Sequence, residues 1–290
     1  MTPDHHPVRT RELELMDVSA RLTGKVAFIT GAARGQGRAH ALRLASEGAD
    51  ILALDLAGPL PQGVPYESST PDDLAETTRQ VEALDRRILT HQGDVRDFED
   101  MQAFVGRGVT ELGRLDIVVA NAAIFVPGTW DEITPTMFKD TMDINVTGVW
   151  NTVMACAPHV VAGGHGGSVV IISSGAGRKL QPFAIPYTTS KHAVTGMTRA
   201  FAAELGKHDI RVNSVHPGAV ATPMGGGDVM AAMERVGASN PKLAAMGTTF
   251  LDQGWTEADQ IANAVAFLVS DEARFITAEH LSVDGGVQHF

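Results

Sequence analysis

Tyr187 and Lys191 stand four residues apart in the stretch IPYTTSKHAV, residues 185–194. On a helix that spacing puts both side chains on one face. A phenol titrates near ~10, and a cation beside it favours the phenolate. Such a pair could take the proton from an alcohol near neutral pH. A shift of roughly three units needs about 4 kcal/mol of differential stabilisation. By spacing alone, the pair is equally an amphipathic helix with a tyrosine at one end.

A second candidate lies in ITGAARGQGRAH, where Gly31, Gly35 and Gly37 follow a short apolar run. Glycines there let the backbone turn sharply and approach a pyrophosphate seated on a helix N-terminus. No Gly-Lys-Ser/Thr follows, so this is not a nucleoside-triphosphate loop. Asp55 comes 24 residues after Gly31, at the end of the next apolar run. An acid at that place accepts hydrogen bonds from an adenosine ribose and repels a 2′-phosphate. Arg34 argues the other way, since a cation in the turn could hold that phosphate. Asp55 sits where the ribose should lie, so NAD is expected over NADP. Gln36 and Leu56 complete the candidate contacts of this turn.

These residues need elements to position them. Apolar runs at 25–30, 49–55, 88–95, 115–123, 166–177, 209–218 and 280–286 read as strands. Helical spacing falls between them at 35–48, 70–87, about 97–111, about 135–158, 186–206 and 256–271. The strands are Val/Ile/Leu-rich without polar alternation, as burial on both faces demands. Alternation over the whole length predicts a single-domain α/β fold, a doubly wound Rossmann-like parallel sheet. Thr70 or Asp72 is expected to cap the 70–87 helix, with Pro71 in its first turn.

Residues 1–23 are polar and mixed, and read as an arm before a domain spanning 24–290. They lack the apolar core of a secretory signal. Residues 56–90 separate the second and third strands by more than a crossover needs. Because this insertion begins beside Asp55, it could fold over the adenosine end of a cofactor. Residues 223–254 are Gly/Met-rich, with Met224, Met230, Met233 and Met246. They read as a lid over a hydrophobic substrate, with core filling as the alternative.

Composition narrows the class. The chain has 290 residues, 44% hydrophobic, with a net charge of −11 and no basic cluster. That argues against nucleic acid and against an anionic membrane surface. No apolar run approaches the ~20 residues of a membrane span. The lone Cys156 cannot form an internal disulfide, which suits a reducing cytoplasm. Scattered histidines and one cysteine offer no metal-ligand cluster, so no metal is expected.

Taken in order, TGAARGQG (30–37), GDV (93–95), NAA (121–123), INVTG (144–148), ISS (172–174), YTTSK (187–191) and HPG (216–218) resemble the short-chain dehydrogenase/reductase family. The resemblance runs from about residue 24 to 287. It implies a seven-stranded sheet and assembly as a homotetramer or dimer. It implies that Asp94 and Val95 flank the adenine and that Asn121, Ala122 and Ala123 line the cofactor cleft. Pro217, Gly218, Val220 and Thr222 would hold the nicotinamide. Ala123 replaces the family's usual glycine, which is tolerable unless the backbone there needs positive φ.

The catalytic set implied is Asn145, Ser174, Tyr187 and Lys191. The family's serine lies thirteen residues before the tyrosine, which selects Ser174 over Ser173. Ser174 would stabilise the substrate oxygen. Asn145 would position a water linking Lys191 to solvent. His216 reads as structural. The expected reaction is NAD-dependent oxidation of a hydrophobic secondary alcohol, terpenoid or alicyclic. The alternatives are a carbonyl or 3-oxoacyl reductase with the same residues, and a non-catalytic NAD-binding regulator. The 56–97 segment and SDEARFIT (270–277) look like the mycofactocin-associated, carveol dehydrogenase-like branch. That likeness implies a fixed NAD and a small redox peptide as electron acceptor.

Overall fold

The computed structural model describes residues 20–289. Seven strands form one parallel sheet: β1 (Val26–Thr30), β2 (Asp50–Asp55), β3 (Ile88–Gln92), β4 (Ile117–Ala120), β5 (Gly167–Ile172), β6 (Ile210–Pro217) and β7 (His280–Val283). Their order is β3-β2-β1-β4-β5-β6-β7. The connection reverses direction between β1 and β4, and a crevice opens there beyond the carboxyl ends of the strands.

The helices are α1 (Gly35–Ser46), α2 (Pro71–Glu82), α3 (Phe98–Leu112), α4 (Pro135–Met142), α5 (Gly148–Gly163), α6 (Ile185–Leu205), α7 (Gly227–Gly237), α8 (Pro241–Ala244) and α9 (Ala258–Val269). Successive strand residues point to opposite faces. Phe28, Leu52, Val118 and Ile171 therefore pack against Phe104 of α3, Val153 of α5 and Val194 of α6. Ile29, Ile51, Val119 and Val170 pack on the other face, against Leu44 of α1 and Val265 of α9. No helix among the described residues is long and apolar enough to cross a membrane.

Several sequence expectations shift at their edges. The third strand ends at Gln92, so Gly93 to Val95 leave the sheet. The fifth ends at Ile172, which puts Ser173 and Ser174 in the turn beyond it. Arg21 and Leu22, read as the end of the arm, pack on the fold. Leu22 is in the core and its N–H donates to the Glu47 carbonyl, while Arg21 pairs with Glu47 at 2.5 Å. Residues 1–19 lie outside the described residues. Thr70, not Asp72, caps α2, in a reciprocal box with Asp73.

The single helix expected over 135–158 is two, joined by a π turn at Asp143–Thr147. An i→i+5 turn is rare and is frequently found at functional sites. Asn145 lies in its middle. The 223–254 segment folds into α7 and α8 rather than an open loop.

Candidate active site

At the crevice the first turn after β1 is tightly wound. Gly31 has φ +69° and Gly35 φ +54°. A Cβ on Gly37 would stand 1.9 Å from the Gly31 carbonyl oxygen, so only glycine lets α1 start this close to the strand. Gly31, Arg34, Gly35, Gln36 and Gly37 all line a cavity of about 180 Å³. Leu56, Asp94 and Val95 line its far side, with Asn121, Ala122 and Ala123 between. Ala123 is not among the non-glycine residues with positive φ, so the departure from glycine costs no strain. Asn121 also braces the crevice, donating from Nδ2 to the Thr30 carbonyl at 2.9 Å.

Asp55 reaches the same cavity. Its Oδ2 accepts from Ala33 N at 2.8 Å, and its Oδ1 from Ala57 N at 2.9 Å and Ser69 Oγ at 2.6 Å. It therefore clamps the glycine turn to the insertion. A carboxylate offers about four lone-pair sites, so capacity for a ribose hydroxyl remains.

Residues 56–70 form a strap across this cavity. Arg34 Nη2 donates to the Glu67 carbonyl, so the cation in the turn is engaged by the strap. Leu60 and Val64 pack into the core beside Ile133 and Met137. Tyr66 goes further than the adenosine end. It packs with Phe125, Met224, Met233 and Tyr187, and its hydroxyl accepts from Phe125 N at 3.3 Å. Sequence reasoning missed Leu60, Tyr66 and Ser69 as cavity residues. The only signal was the insertion's length and its start beside Asp55.

Tyr187 begins the second residue pair of α6, and Lys191 follows one turn later. Lys191 is 2% exposed, and its Nζ donates to the Ile172 carbonyl at 2.9 Å. Burial moves it from the ordinary lysine range down to about 7. Burial pushes the Tyr187 phenol up to about 12, with a hydrogen bond from Ser174 pulling the other way. The expected depression of the tyrosine is therefore not produced by the chain's own groups. Desolvation exceeds the effect of the neighbouring serine. Phe125 meets the Tyr187 ring edge-on at 4.9 Å.

The two serines part company. Ser173 Oγ bonds the Lys191 carbonyl and Thr195 Oγ1, both at 3.2 Å, and points inward. Ser174 Oγ accepts from Ala176 N at 3.1 Å, capping a short 3₁₀ turn. Its hydroxyl hydrogen is thereby left as a donor.

Asn145 is held by its own side chain within the fold. It is fully buried and lines neither cavity. Its Oδ1 accepts from Ile124 N at 2.8 Å, and its Nδ2 donates to the Ile124 carbonyl at 2.9 Å and Ser190 Oγ at 3.1 Å. The side chain braces the π turn and is buried away from both cavities, so it is not placed to hold a water in the cleft. Only the main chain of this residue is available for that role.

A second cavity, of about 290 Å³, adjoins the first. Gln36, Ser173, Tyr187, Thr222 and Met224 line both. Ser174, Pro217, Gly218 and Val220 line only the second. The three β6-turn residues read as nicotinamide contacts thus sit on the side away from Asp55. Met230, Met233 and Met246 join Phe125, Leu180 and Val229 on its walls, so the methionines of 223–254 border a cavity. Lys179 is the one charged side chain of this lining.

The residues fit a dinucleotide. A cradle that a single Cβ would fill shares its cavity with the acid at the carboxyl end of β2, and the buried Gln36 Oε1 has no partner among the described residues. A family model described as enoyl-(acyl carrier protein) reductase matches residues 31–288. A short-chain dehydrogenase from Mycobacterium paratuberculosis, crystallised bound to NAD, is 58% identical with a TM-score of 0.92, covering 93% of this chain and 100% of that one. Carveol dehydrogenase from Mycobacterium avium, in complex with NAD, is 49% identical with a TM-score of 0.88 and the same coverage. (−)-trans-Carveol dehydrogenase of Rhodococcus erythropolis is 43% identical over 92% of this chain and 98% of its own length.

Proposed function

The chain belongs to the short-chain dehydrogenase/reductase family, and within it we propose that the protein is an NAD-dependent dehydrogenase of hydrophobic secondary alcohols, terpenoid or alicyclic. One observation carries this reading. Tyr187 stands on the wall shared by a glycine-cradled cavity and a methionine-lined one. The names of the carveol dehydrogenase relatives support the substrate class.

The turn Gly31–Gly37 and the α1 N-terminus would hold the pyrophosphate, Asp55 the ribose, and Asp94 with Val95 the adenine. Thr222, Gln36 and Asn121 to Ala123 would border the nicotinamide half, with Pro217, Gly218 and Val220 behind it. Bound there, NAD⁺ supplies the hydride acceptor and a positive ring near Tyr187.

The chain's residues do the proton work. Tyr187 takes the alcohol's hydroxyl proton. Ser174, whose hydroxyl bonds Tyr187 in the protein alone, would turn its hydrogen to the same substrate oxygen as charge builds on it. The Lys191 charge, held against the tyrosine ring, favours phenolate. The main-chain carbonyl of Asn145 would hold the water that returns the proton to solvent. The same groups reversed would reduce a ketone, and the matching model's description names a reductase. Direction follows from the electron acceptor.

The strap supports a cofactor that stays bound between turnovers, since it is tied at Asp55 and Arg34 and again at Phe125. A redox peptide would then carry electrons away. Exposed Trp150 and Phe275 offer apolar area for a homotetramer. The decisive experiment is to desalt the purified protein, scan for bound NAD, and add cyclic and terpenoid alcohols with a dye acceptor. Bound NAD and alcohol-dependent dye reduction are expected. No oxidation of any alcohol, with or without added NAD⁺, would refute the reading.

A further inference from the structure

His216 is fully buried in β6 and is not itself a lining residue of either cavity. Its Nδ1 lies 2.8 Å from the Ser174 carbonyl oxygen, and its Nε2 lies 2.8 Å from Ser214 Oγ. Ser214 Oγ is in turn 2.7 Å from Nδ1 of His280, on the paired strand β7. The two imidazoles stand 5.5 Å apart, centre to centre.

The direction of every hydrogen in this chain follows from its end. A carbonyl only accepts, so His216 Nδ1 carries a hydrogen. Burial, reinforced by the Arg178 and Lys191 cations, holds His216 down at about 4, so it is neutral near pH 7. A neutral imidazole has one N–H, so Nε2 accepts, and the Ser214 hydroxyl must donate to it. Ser214 Oγ is then free to accept from His280 Nδ1–H. His280 Nε2 is left as a bare lone pair, and it is a buried atom without a partner among the described residues. Burial lowers His280 as well, with Arg199 and Arg178 adding to it and Glu279 opposing. The hydrogens thus run one way, from His280 through Ser214 and His216 to the serine of the active site.

That serine has little else to fix it. Its carbonyl also accepts from Gly177 N at 2.9 Å, and its Oγ accepts from Ala176 N within the same short turn. Both of those bonds are local. The His216 bond alone, among those the Ser174 carbonyl and Oγ accept, ties the turn to the sheet. We infer that His216 is a positioning residue that sets where Ser174 presents its hydroxyl, with Ser214 and His280 fixing the tautomer that lets it do so. This rests on the reading that Ser174 faces the substrate oxygen.

Two measurements on the holoenzyme test it. In long-range ¹⁵N–¹H NMR of protein labelled at histidine, with His216 assigned by its loss in His216→Asn, His216 should appear as the neutral Nδ1–H tautomer from pH 6 to 8. An Nε2–H tautomer overturns the inference whatever Ser174 does. In kinetics, His216→Phe keeps the ring volume and removes the donor. We expect kcat to fall by about ten- to a hundredfold, as for other supporting-shell losses, with the alcohol KM little changed. His216→Asn, whose amide can donate to the same carbonyl, should recover most of that loss. A His216→Phe enzyme with wild-type kcat, or a folded His216→Asn no better than Phe, overturns it. Should His216→Phe not fold, the tautomer and the Asn variant's kcat still decide. Ser174→Ala with unchanged kcat would instead sink the underlying assignment of the serine, which separates the two failures.

Discussion

The Lys191 ammonium lies 5.4 Å from the centre of the Tyr187 ring while donating its hydrogen bond to the Ile172 carbonyl at 2.9 Å. Its influence on the tyrosine is therefore through its field and not through a shared proton. Burial drives the two groups in opposite senses, the lysine down to about 7 and the phenol up to about 12. Phenolate is the reactive form for oxidation, and a raised value makes it scarce at neutral pH. Oxidation by the wild type should accelerate as pH rises. Lys191→Met removes the charge that this lysine carries near and below pH 7, so kcat at pH 7 should fall about 10²- to 10⁴-fold, with the two profiles converging as pH rises and the wild-type lysine loses its proton. A pH–rate profile that overlays the wild type would exclude a role for this charge.

Tyr187→Phe separates packing from chemistry. The ring keeps its edge-on contact with Phe125 at 4.9 Å, so the melting temperature should barely change. The proton acceptor is gone, and kcat should drop by about 10²- to 10⁴-fold with bound NAD retained. Wild-type turnover in this variant would place the base elsewhere.

Much of this site was legible because its signals are local. Gly31, Gly37 and Asp55 are set by a turn and a strand end, and the Tyr187–Lys191 pair by one helix turn. What escaped depends on long-range packing. No periodicity could announce that Tyr66, 59 residues from Phe125, would place its hydroxyl on that backbone N–H. The residue type of Asn145 did not say whether side chain or main chain would face the cleft, and a π turn engages its amide in bracing Ile124. The chain's own groups raise the tyrosine, because desolvation is a property of the folded cluster and not of the spacing, so the expected depression rests on the bound nicotinamide. The methionines of 223–254 border the second cavity, but α7, which carries Met230 and Met233, was read as part of an irregular excursion.

Tyr66 tests the strap. Tyr66→Ala removes a packed ring and one hydrogen bond, together worth roughly 2 kcal/mol or more. NAD should then leave at least about tenfold faster, a step of about 1.4 kcal/mol. The measurement is cofactor absorbance retained after repeated desalting. Retention equal to wild type would mean that the strap does not hold the cofactor.

Asp55 should govern both cofactor choice and local order. Asp55→Ala removes the acceptor of Ala33 N, Ala57 N and Ser69 Oγ together. Buried donors left unpaired cost about 1–3 kcal/mol each, so the variant should melt earlier as well as bind NAD more weakly. It should not gain efficient use of NADP, because the clamp that closes the site is lost with the repelling charge. In the wild type, kcat/KM with NADP⁺ comparable to that with NAD⁺ would refute the assignment of Asp55.

His40 offers a test of stability away from the site. It is fully buried on α1, which packs against α9, and neither ring nitrogen has a partner among the described residues. Burial lowers it to about 3, against an ordinary value of 6.5. Between those values the unfolded chain binds a proton that the folded protein refuses. Stability from this group is therefore intact above pH 6.5 and is lost as pH falls toward 3. His216, lowered to about 4, acts with the same sign. His40→Leu keeps the helix contact apolar and removes both orphaned nitrogens, so it should stabilise by about 1 kcal/mol at pH 7. At pH 5 the advantage should widen by about 2 kcal/mol, since each pH unit below the unfolded value counts for about 1.4 kcal/mol. Urea unfolding of both proteins at the two pH values reads this directly. An equal difference at pH 7 and pH 5 would show that His40 takes up its proton in the folded state.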